Sequence, residues 1–216
     1  MDEMWRIVFL GWVRLALGVL GAVALGYQAH RSAGNGMLDY WFSYFTVLSN
    51  IMGVVVLLLM GAATLRGSRG VPDMVRGAVV LYLAVTGLIY QVLLSNLPEA
   101  ELAIPWVNHI QHQLLPVAVV AYWFADPPKQ RLKVGHALLW LVFPLAFLAY
   151  SLIRGPLVGD WYPYPFLDPG KSGGYGGVAG RCLGITAAFV AVLWLLVRLG
   201  NLRHDRLTAS RKLPKI

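Results

Sequence analysis

Thr46, in the run Trp41-Phe-Ser-Tyr-Phe-Thr-Val-Leu-Ser-Asn-Ile-Met52, and His112, in Asn108-His-Ile-Gln-His-Gln113, are the side chains of this sequence best suited to covalent chemistry. A threonine hydroxyl is a weak nucleophile until a neutral imidazole within hydrogen-bond reach takes its proton as it attacks a carbonyl. The product is an acyl-threonine, which water activated by the same imidazole then clears. The developing oxyanion needs donors, and Asn50, Asn108 and His109 are the candidates on the same two stretches. No G-x-S-x-G elbow is present to compete as a hydrolase nucleophile.

Each of these residues also has a plainer role. Thr46 and Ser49 can bond the carbonyl four residues back, as hydroxyls in helices often do. His109 and His112 are three residues apart and can ligate a metal. That stretch has no acidic partner, however, and His30, His136 and His204 fall at the opposite surface or in loops. The expectation is therefore no metal and no cofactor. Cys182 is the only cysteine, which excludes an internal disulfide and leaves it as a small packing residue.

The elements that carry these residues follow from composition. The chain has 216 residues, of which 58% are hydrophobic and 13% charged, against roughly 25% charged in a soluble domain. It reads as an all-α, polytopic membrane protein: a single domain of six spans, at about 7–27, 40–65, 75–95, 106–125, 134–153 and 178–199. The first run is too long for a signal-peptide core, follows Asp2 and Glu3, and lacks a clear cleavage site, so it is taken as a span.

Positively charged loops stay cytoplasmic. Arg6, Arg66, Arg69, Arg76, Lys129, Arg131, Lys133, Arg198, Arg203, Arg206, Arg211, Lys212 and Lys215 fall on one side. Only Arg31, Arg154, Lys171 and Arg181 fall on the other, where Glu99 and Glu101 occupy a loop without basic residues. Both termini are thereby placed in the cytoplasm, as six spans require. The formal net charge of +8 then reads as a topology signal facing anionic lipid headgroups, not as a nucleic-acid surface. Arg14, well inside the first span, is expected to snorkel, to pair or to serve function.

With this topology, Thr46 on the second span and His112 on the fourth both lie about 9 Å below the outer surface, at 1.5 Å per residue. Thr86, Tyr90 and Gln91 end the third span on that side, and Arg181, Cys182 and Thr186 begin the sixth. Such groups must satisfy one another or meet water, which favours a polar cavity in the outer half of the bundle. Ser43, Ser49, Asn50, Tyr90, Asn108 and His109 are its supporting residues. The fifth loop adds Trp161, Tyr162, Tyr164, Phe166 and Asp168, followed by the glycine-rich 170–177 segment. These aromatics read either as an interfacial belt or as a lid over the cavity.

Taken in order, Tyr-Phe-Thr-Val-Leu-Ser-Asn (44–50), Asn-His-Ile-Gln-His-Gln-Leu-Leu-Pro (108–116) and Trp-Tyr-Pro-Tyr-Pro-Phe-Leu-Asp (161–168) resemble the androgen-induced membrane protein family and its bacterial relatives. That family includes the androgen-dependent TFPI-regulating protein. Its animal members are multi-span threonine hydrolases that cleave fatty acid esters of hydroxy fatty acids. The resemblance covers roughly residues 40–168 through short motifs, and implies Thr46 as nucleophile and His112 as base. The chain departs from the animal pattern at Ser49, where those members carry Asp, and by one residue less between the second histidine and Pro116.

The expected function is therefore an intramembrane lipid-ester hydrolase of the bacterial inner membrane, drawing its lipid substrate from the bilayer. The alternative is a non-enzymatic transporter or binding protein for a small molecule or lipid, using the same polar cavity.

Overall fold

The computed structural model describes residues 3–97 and 104–212. Glu99, Glu101 and Lys215, which entered the charge pattern, and Asp2, which entered the reading of the first apolar run, lie outside the described residues. No strand occurs among the described residues. The helices are α1 (Glu3–Gly34), α2 (Leu38–Trp41), α3 (Phe45–Leu65) and α4 (Asp73–Leu94). Then come α5 (Pro105–His109, a π turn at Ile110–Leu114, and Leu115–Ala125), α6 (Val134–Leu157), α7 (Pro169–Ser172) and α8 (Gly174–Lys212).

Five of these, α1, α3, α4, α6 and α8, are long and apolar enough to cross a membrane. Their outer faces are apolar as well: Trp5, Phe9 and Trp12 on α1 and Leu183 and Trp194 on α8 are exposed, a surface suited to lipid and costly in water. α5 is not among the five, because only Ile110 is apolar between Asn108 and Gln113. This helix nevertheless runs through the molecule, and Val107, Leu115, Val119 and Trp123 on it are buried in the core.

α1 and α3 pack antiparallel through small residues. A Cβ at Gly11, Gly18 or Gly21 would lie 2.8, 2.7 or 2.6 Å from Leu65, Leu58 or Val54 respectively. Glycine lets the backbones approach, which is how helices gain dispersion contact where lipid offers no hydrophobic drive. α4 lies between α3 and α5, with Leu81 and Leu83 fully buried.

Two features set the site. The second apolar run is not one helix from residue 40: the chain breaks after α2, Tyr44 is extended (φ −95°, ψ 129°), and α3 starts at Phe45. Thr46 therefore sits in the first turn of a helix rather than six residues inside one. The second feature is the π turn that precedes Pro116 in α5. Proline has no N–H to give and crowds the carbonyl before it, and widening the turn accommodates this, a deformation often found at functional sites.

At the end of the bundle away from Thr46, Arg14 is satisfied by a partner 112 residues away. Its Nη2 lies 2.5 Å from Asp126 Oδ2 and its Nη1 donates to Thr64 Oγ1 at 2.9 Å. Arg76 joins the cluster, 3.2 Å from Asp73 Oδ1 and 3.6 Å from Asp126 Oδ2. The two buried arginines are thus neutralised by two partly exposed aspartates.

Candidate active site

Thr46 Oγ1 lies 3.2 Å from His112 Nε2. On the other edge of the ring, Nδ1 lies 3.1 Å from the carbonyl oxygen of Asn108. A carbonyl can only accept, so Nδ1 carries the proton of the neutral imidazole and Nε2 presents a lone pair. The threonine hydroxyl is then the donor to Nε2, the direction that proton abstraction requires. Tyr90 stacks on the imidazole, with ring centroids 4.1 Å apart and planes 21° apart, and holds the ring plane.

The hydroxyl of Tyr164 completes the cluster. It accepts a hydrogen bond from Thr46 N–H at 3.1 Å and lies 3.3 Å from Thr46 Oγ1. Because the threonine proton points to His112, the phenol proton is the one between Tyr164 and Thr46. Thr46 N–H is one of the amides at a helix N-terminus that lack an intrahelical acceptor, and the positive end of the helix dipole favours negative charge there. The phenol O–H is thus the donor directed at Thr46 Oγ1, while the Thr46 N–H is spent on the phenol oxygen and reaches an oxyanion beside the nucleophile only when that bond opens. Burial pushes the Tyr164 phenol up to about 12, so it stays a donor.

Tyr164 reaches this point because the 158–173 segment folds back on the bundle. Gly159 (φ 75°) and Asp160 (φ 58°) take left-handed conformations that turn the chain out of α6. Trp161 packs edge-on against Tyr40 and Tyr44, 4.7 and 5.9 Å between centroids, and Arg154 stacks over both Tyr40 and Trp161. Tyr162 fits against Gly155, where a Cβ would collide with its ring. Phe166 stacks on Tyr164 at 5.1 Å, and Asp168 caps α7 by accepting from Gly170 N at 2.8 Å.

The remaining residues singled out in the sequence hold the frame. Asn50 spends its amide on two backbones, donating to the Thr46 carbonyl at 2.8 Å on its own helix and to the Gln111 carbonyl at 3.3 Å on α5. The Gln111 carbonyl is the one whose i+5 donor Pro116 cannot supply, so Asn50 satisfies it and ties the two helices together. Ser49 donates to the Thr46 carbonyl and meets Thr86 Oγ1, both at 3.1 Å. It does not touch His112, whose orienting group is the Asn108 carbonyl. Ser43 bonds the Asp39 carbonyl and Tyr150, away from the pair.

Of the three oxyanion candidates read from the sequence, Asn50 is committed to backbone carbonyls and Asn108 donates its amide to Tyr90. His109 is exposed on the outside of α5. None has its donors beside Thr46 Oγ1; Tyr164, read only as a supporting loop aromatic, does. Sequence reading also passed over Gln111, 2% exposed and bonded to Gln28 at 2.9 Å. A neutral amide directly beside His112 was the available signal.

Two cavities meet at Thr46 and Tyr164. One, of about 620 Å³, is a chamber polar at Gln28, Ser32, Asn35, Asn108 and His112, apolar at Met37, Trp41, Val47 and Ile104, and closed on one side by the 160–165 segment. The other is an apolar slot of about 100 Å³ between α4, α6 and α8, walled by Val85, Ile89, Leu148, Ile185 and Phe189. A third, lateral groove of about 600 Å³ between α4 and α5 reaches His112 but not Thr46. No group of three or more His, Cys, Asp or Glu that could hold a metal ion occurs among the described residues.

No protein-family model, curated protein or solved structure matches the chain.

Proposed function

We propose that this protein is an integral membrane hydrolase of lipid esters, with Thr46 as nucleophile and His112 as general base. The observation that carries the reading is the hydrogen-bonded series Thr46 Oγ1, His112 Nε2, His112 Nδ1 and the Asn108 carbonyl, at 3.2 and 3.1 Å. It has the order nucleophile, base and orienting group that activated hydroxyls require. The resemblance to the androgen-induced membrane protein family, carried by the motifs at 44–50, 108–116 and 161–168, implies the same two residues and extends the reading to fatty acid esters of hydroxy fatty acids.

The reaction runs in two halves. Thr46 Oγ attacks the ester carbonyl carbon as its proton passes to His112 Nε2, and the oxyanion takes the Tyr164 O–H, joined by the Thr46 N–H once that amide leaves the phenol oxygen. The alkoxy C–O bond then breaks, and His112 returns the proton to the departing oxygen, leaving an alcohol and acyl-Thr46. Water entering through the chamber gives its proton to His112 and attacks the acyl carbon. The C–Oγ bond breaks, Thr46 recovers its proton from His112, and the fatty acid leaves.

The membrane frame of this proposal is six spans, α5 being the polar one, with both termini cytoplasmic and Thr46 in the outer half of a bacterial inner membrane. Anionic headgroups meet the basic side, where thirteen Lys and Arg stand against four on the other. Fluorophosphonate labelling of the wild type, Thr46→Ala and His112→Ala tests the chemistry. Label on the wild type alone is expected. Label that persists in Thr46→Ala removes the nucleophile, and a chain that never labels but binds lipid in the chamber favours the transporter reading.

A further inference from the structure

The two cavities that meet at Thr46 are of very different size, about 620 Å³ for the chamber against about 100 Å³ for the slot. The chemistry at His112 decides which half of an ester each one receives. The alkoxy oxygen takes its proton from His112 Nε2, so the alcohol half must lie in a space that Thr46 and His112 both border. The chamber is that space: the slot borders Thr46 but not His112, and the lateral groove borders His112 but not Thr46. In the second half-reaction water takes the place of the departed alkoxy oxygen, because it too must reach His112 Nε2 while it attacks the acyl carbon. An acyl chain lying in the chamber would fill the path of that water. The acyl chain therefore belongs on the other side of Thr46, in the slot.

Size then limits each half. A cavity of about 150 Å³ admits benzene, so at about 25 Å³ per carbon the slot has room for an acyl group of about four carbons, and the chamber for a chain several times longer. Ring packing fixes the slot wall. Phe45, the residue before Thr46, meets Phe147 at 5.2 Å and Phe189 at 5.9 Å between centroids, and all three rings border the slot. Rings held against one another do not make way for extra methylenes, since a packed interior resists added volume. The chamber has a broad apolar wall, from Met37, Trp41, Val47, Leu94, Ile104 and Val107. Gln28 and Asn108, its amide side chains, are already bonded to Gln111 and Tyr90, so an apolar alcohol chain laid on that wall displaces neither bond.

We infer that the substrate is an ester of a short acyl group, of about two to four carbons, with a long-chain lipid alcohol, the acyl group in the α4/α6/α8 slot and the alcohol in the chamber. This inference rests on the Thr46–His112 reading and narrows it: the hydroxy fatty acid half of a fatty acid ester fits the chamber, whereas a long acyl half overfills the slot. The reaction is the hydrolysis written above. The bond from Thr46 Oγ to the acyl carbon forms as the alkoxy C–O bond breaks, the lipid alcohol leaves with the proton from His112, and water then releases a short carboxylic acid.

The test uses two isomeric esters, dodecyl acetate and ethyl dodecanoate, presented to the full-length protein in detergent micelles. Having the same composition they partition alike, and they differ in which half is long. A kcat/KM at least about tenfold higher for dodecyl acetate is expected, the scale of a single methylene too many in a fitted apolar pocket. Equal rates, or preference for ethyl dodecanoate, overturn the inference while leaving Thr46 and His112 in place. Hydrolysis of neither ester by a protein that still labels with fluorophosphonate does the same, whereas absence of both hydrolysis and labelling removes the underlying reading.

Enlarging the slot checks the placement directly. Ile185 borders it from α8 and is half-buried, so Ile185→Ala adds room for about three carbons without removing a fully buried side chain. In the wild type, kcat/KM for dodecyl butyrate is expected to exceed that for dodecyl octanoate by at least about tenfold. In Ile185→Ala that ratio should fall several-fold through a rise in the octanoate rate. A variant that still labels with fluorophosphonate but keeps the wild-type ratio overturns the assignment of the acyl group to the slot, as does a wild type indifferent to acyl length. Leu148→Ala, on the α6 side of the same slot, carries the same expectation and replaces Ile185→Ala if that variant does not fold.

Discussion

His112 is aimed by the backbone of its own helix: its Nδ1 lies 3.1 Å from the Asn108 carbonyl oxygen, four residues earlier. No carboxylate takes that place, and Ser49, at the position where the animal members of the resembled family carry Asp, faces Thr86 on α4 instead. An orienting group in the main chain survives any side-chain substitution at 108.

Asn108→Ala should therefore act only through Tyr90, whose hydroxyl its amide bonds and whose ring stacks on the imidazole. A loss of about tenfold or less in kcat/KM is expected, against roughly 10²- to 10⁴-fold for His112→Ala, the usual contribution of a general base. Ester hydrolysis rates of the two purified variants measure the contrast. An Asn108→Ala loss as large as that of His112→Ala would mean that the side chain, not the carbonyl, holds the ring.

Tyr164→Phe removes a donor beside Thr46 Oγ1 and keeps the ring stacked on Phe166. A fall of about 10²-fold in kcat with KM little changed is expected, as for removal of one oxyanion donor. The pH profile adds a check with a definite sign. The Tyr164 group sits near 12, above the ordinary tyrosine value, so its neutral, donating form persists as pH rises. The wild-type rate should show no loss attributable to this phenol through pH 10; an alkaline limb near 10 that disappears in Tyr164→Phe would contradict the assignment.

Gly87 marks the closest approach of α4 to the site helix. A Cβ there would stand 2.9 Å from Pro116 Cβ and 3.0 Å from the His112 carbonyl. Gly87→Val should push α5 away and lengthen the Thr46–His112 contact. The expected cost is about 1–3 kcal/mol of stability from overpacking, together with loss of fluorophosphonate labelling. Thermal denaturation followed alongside labelling distinguishes a displaced base from an unfolded chain.

Asp126 carries the positive charges of both Arg14 and Arg76 at the far end. Asp126→Asn strands Arg14, whose side chain is 6% exposed. A destabilisation of about 1–3 kcal/mol is expected, below the range for breaking a fully buried pair because the Asp126 side chain is 33% exposed. The double variant Arg14→Met with Asp126→Asn should recover part of it. Urea or thermal unfolding in micelles reads both, and activity per folded molecule should be unchanged because the cluster lies away from Thr46.

What the sequence determined by itself was the inventory. Apolar runs separated by Gly, Pro and charged residues specify long helices, because each must satisfy its own backbone in an apolar medium. Thr46 and His112 are legible as costly polar groups set among aromatic and aliphatic neighbours. Arg14 was recognisable as a charge that needed a partner, although nothing near it in the chain identified Asp126.

What only the tertiary structure decided was how these groups meet. The break after α2 depends on how Trp41 and Tyr44 pack, and it moves Thr46 from a helix interior to a helix N-terminus with an amide to offer. Asn50 looked like a catalytic donor until α5 brought it the carbonyl that Pro116 leaves unsatisfied. Tyr164 is 118 residues from Thr46 in the chain and reaches it only because the loop folds back under Trp161 and Arg154. Local sequence encodes hydrogen bonds between residues a few positions apart, whereas contacts across more than a hundred positions are set by the packing of whole helices.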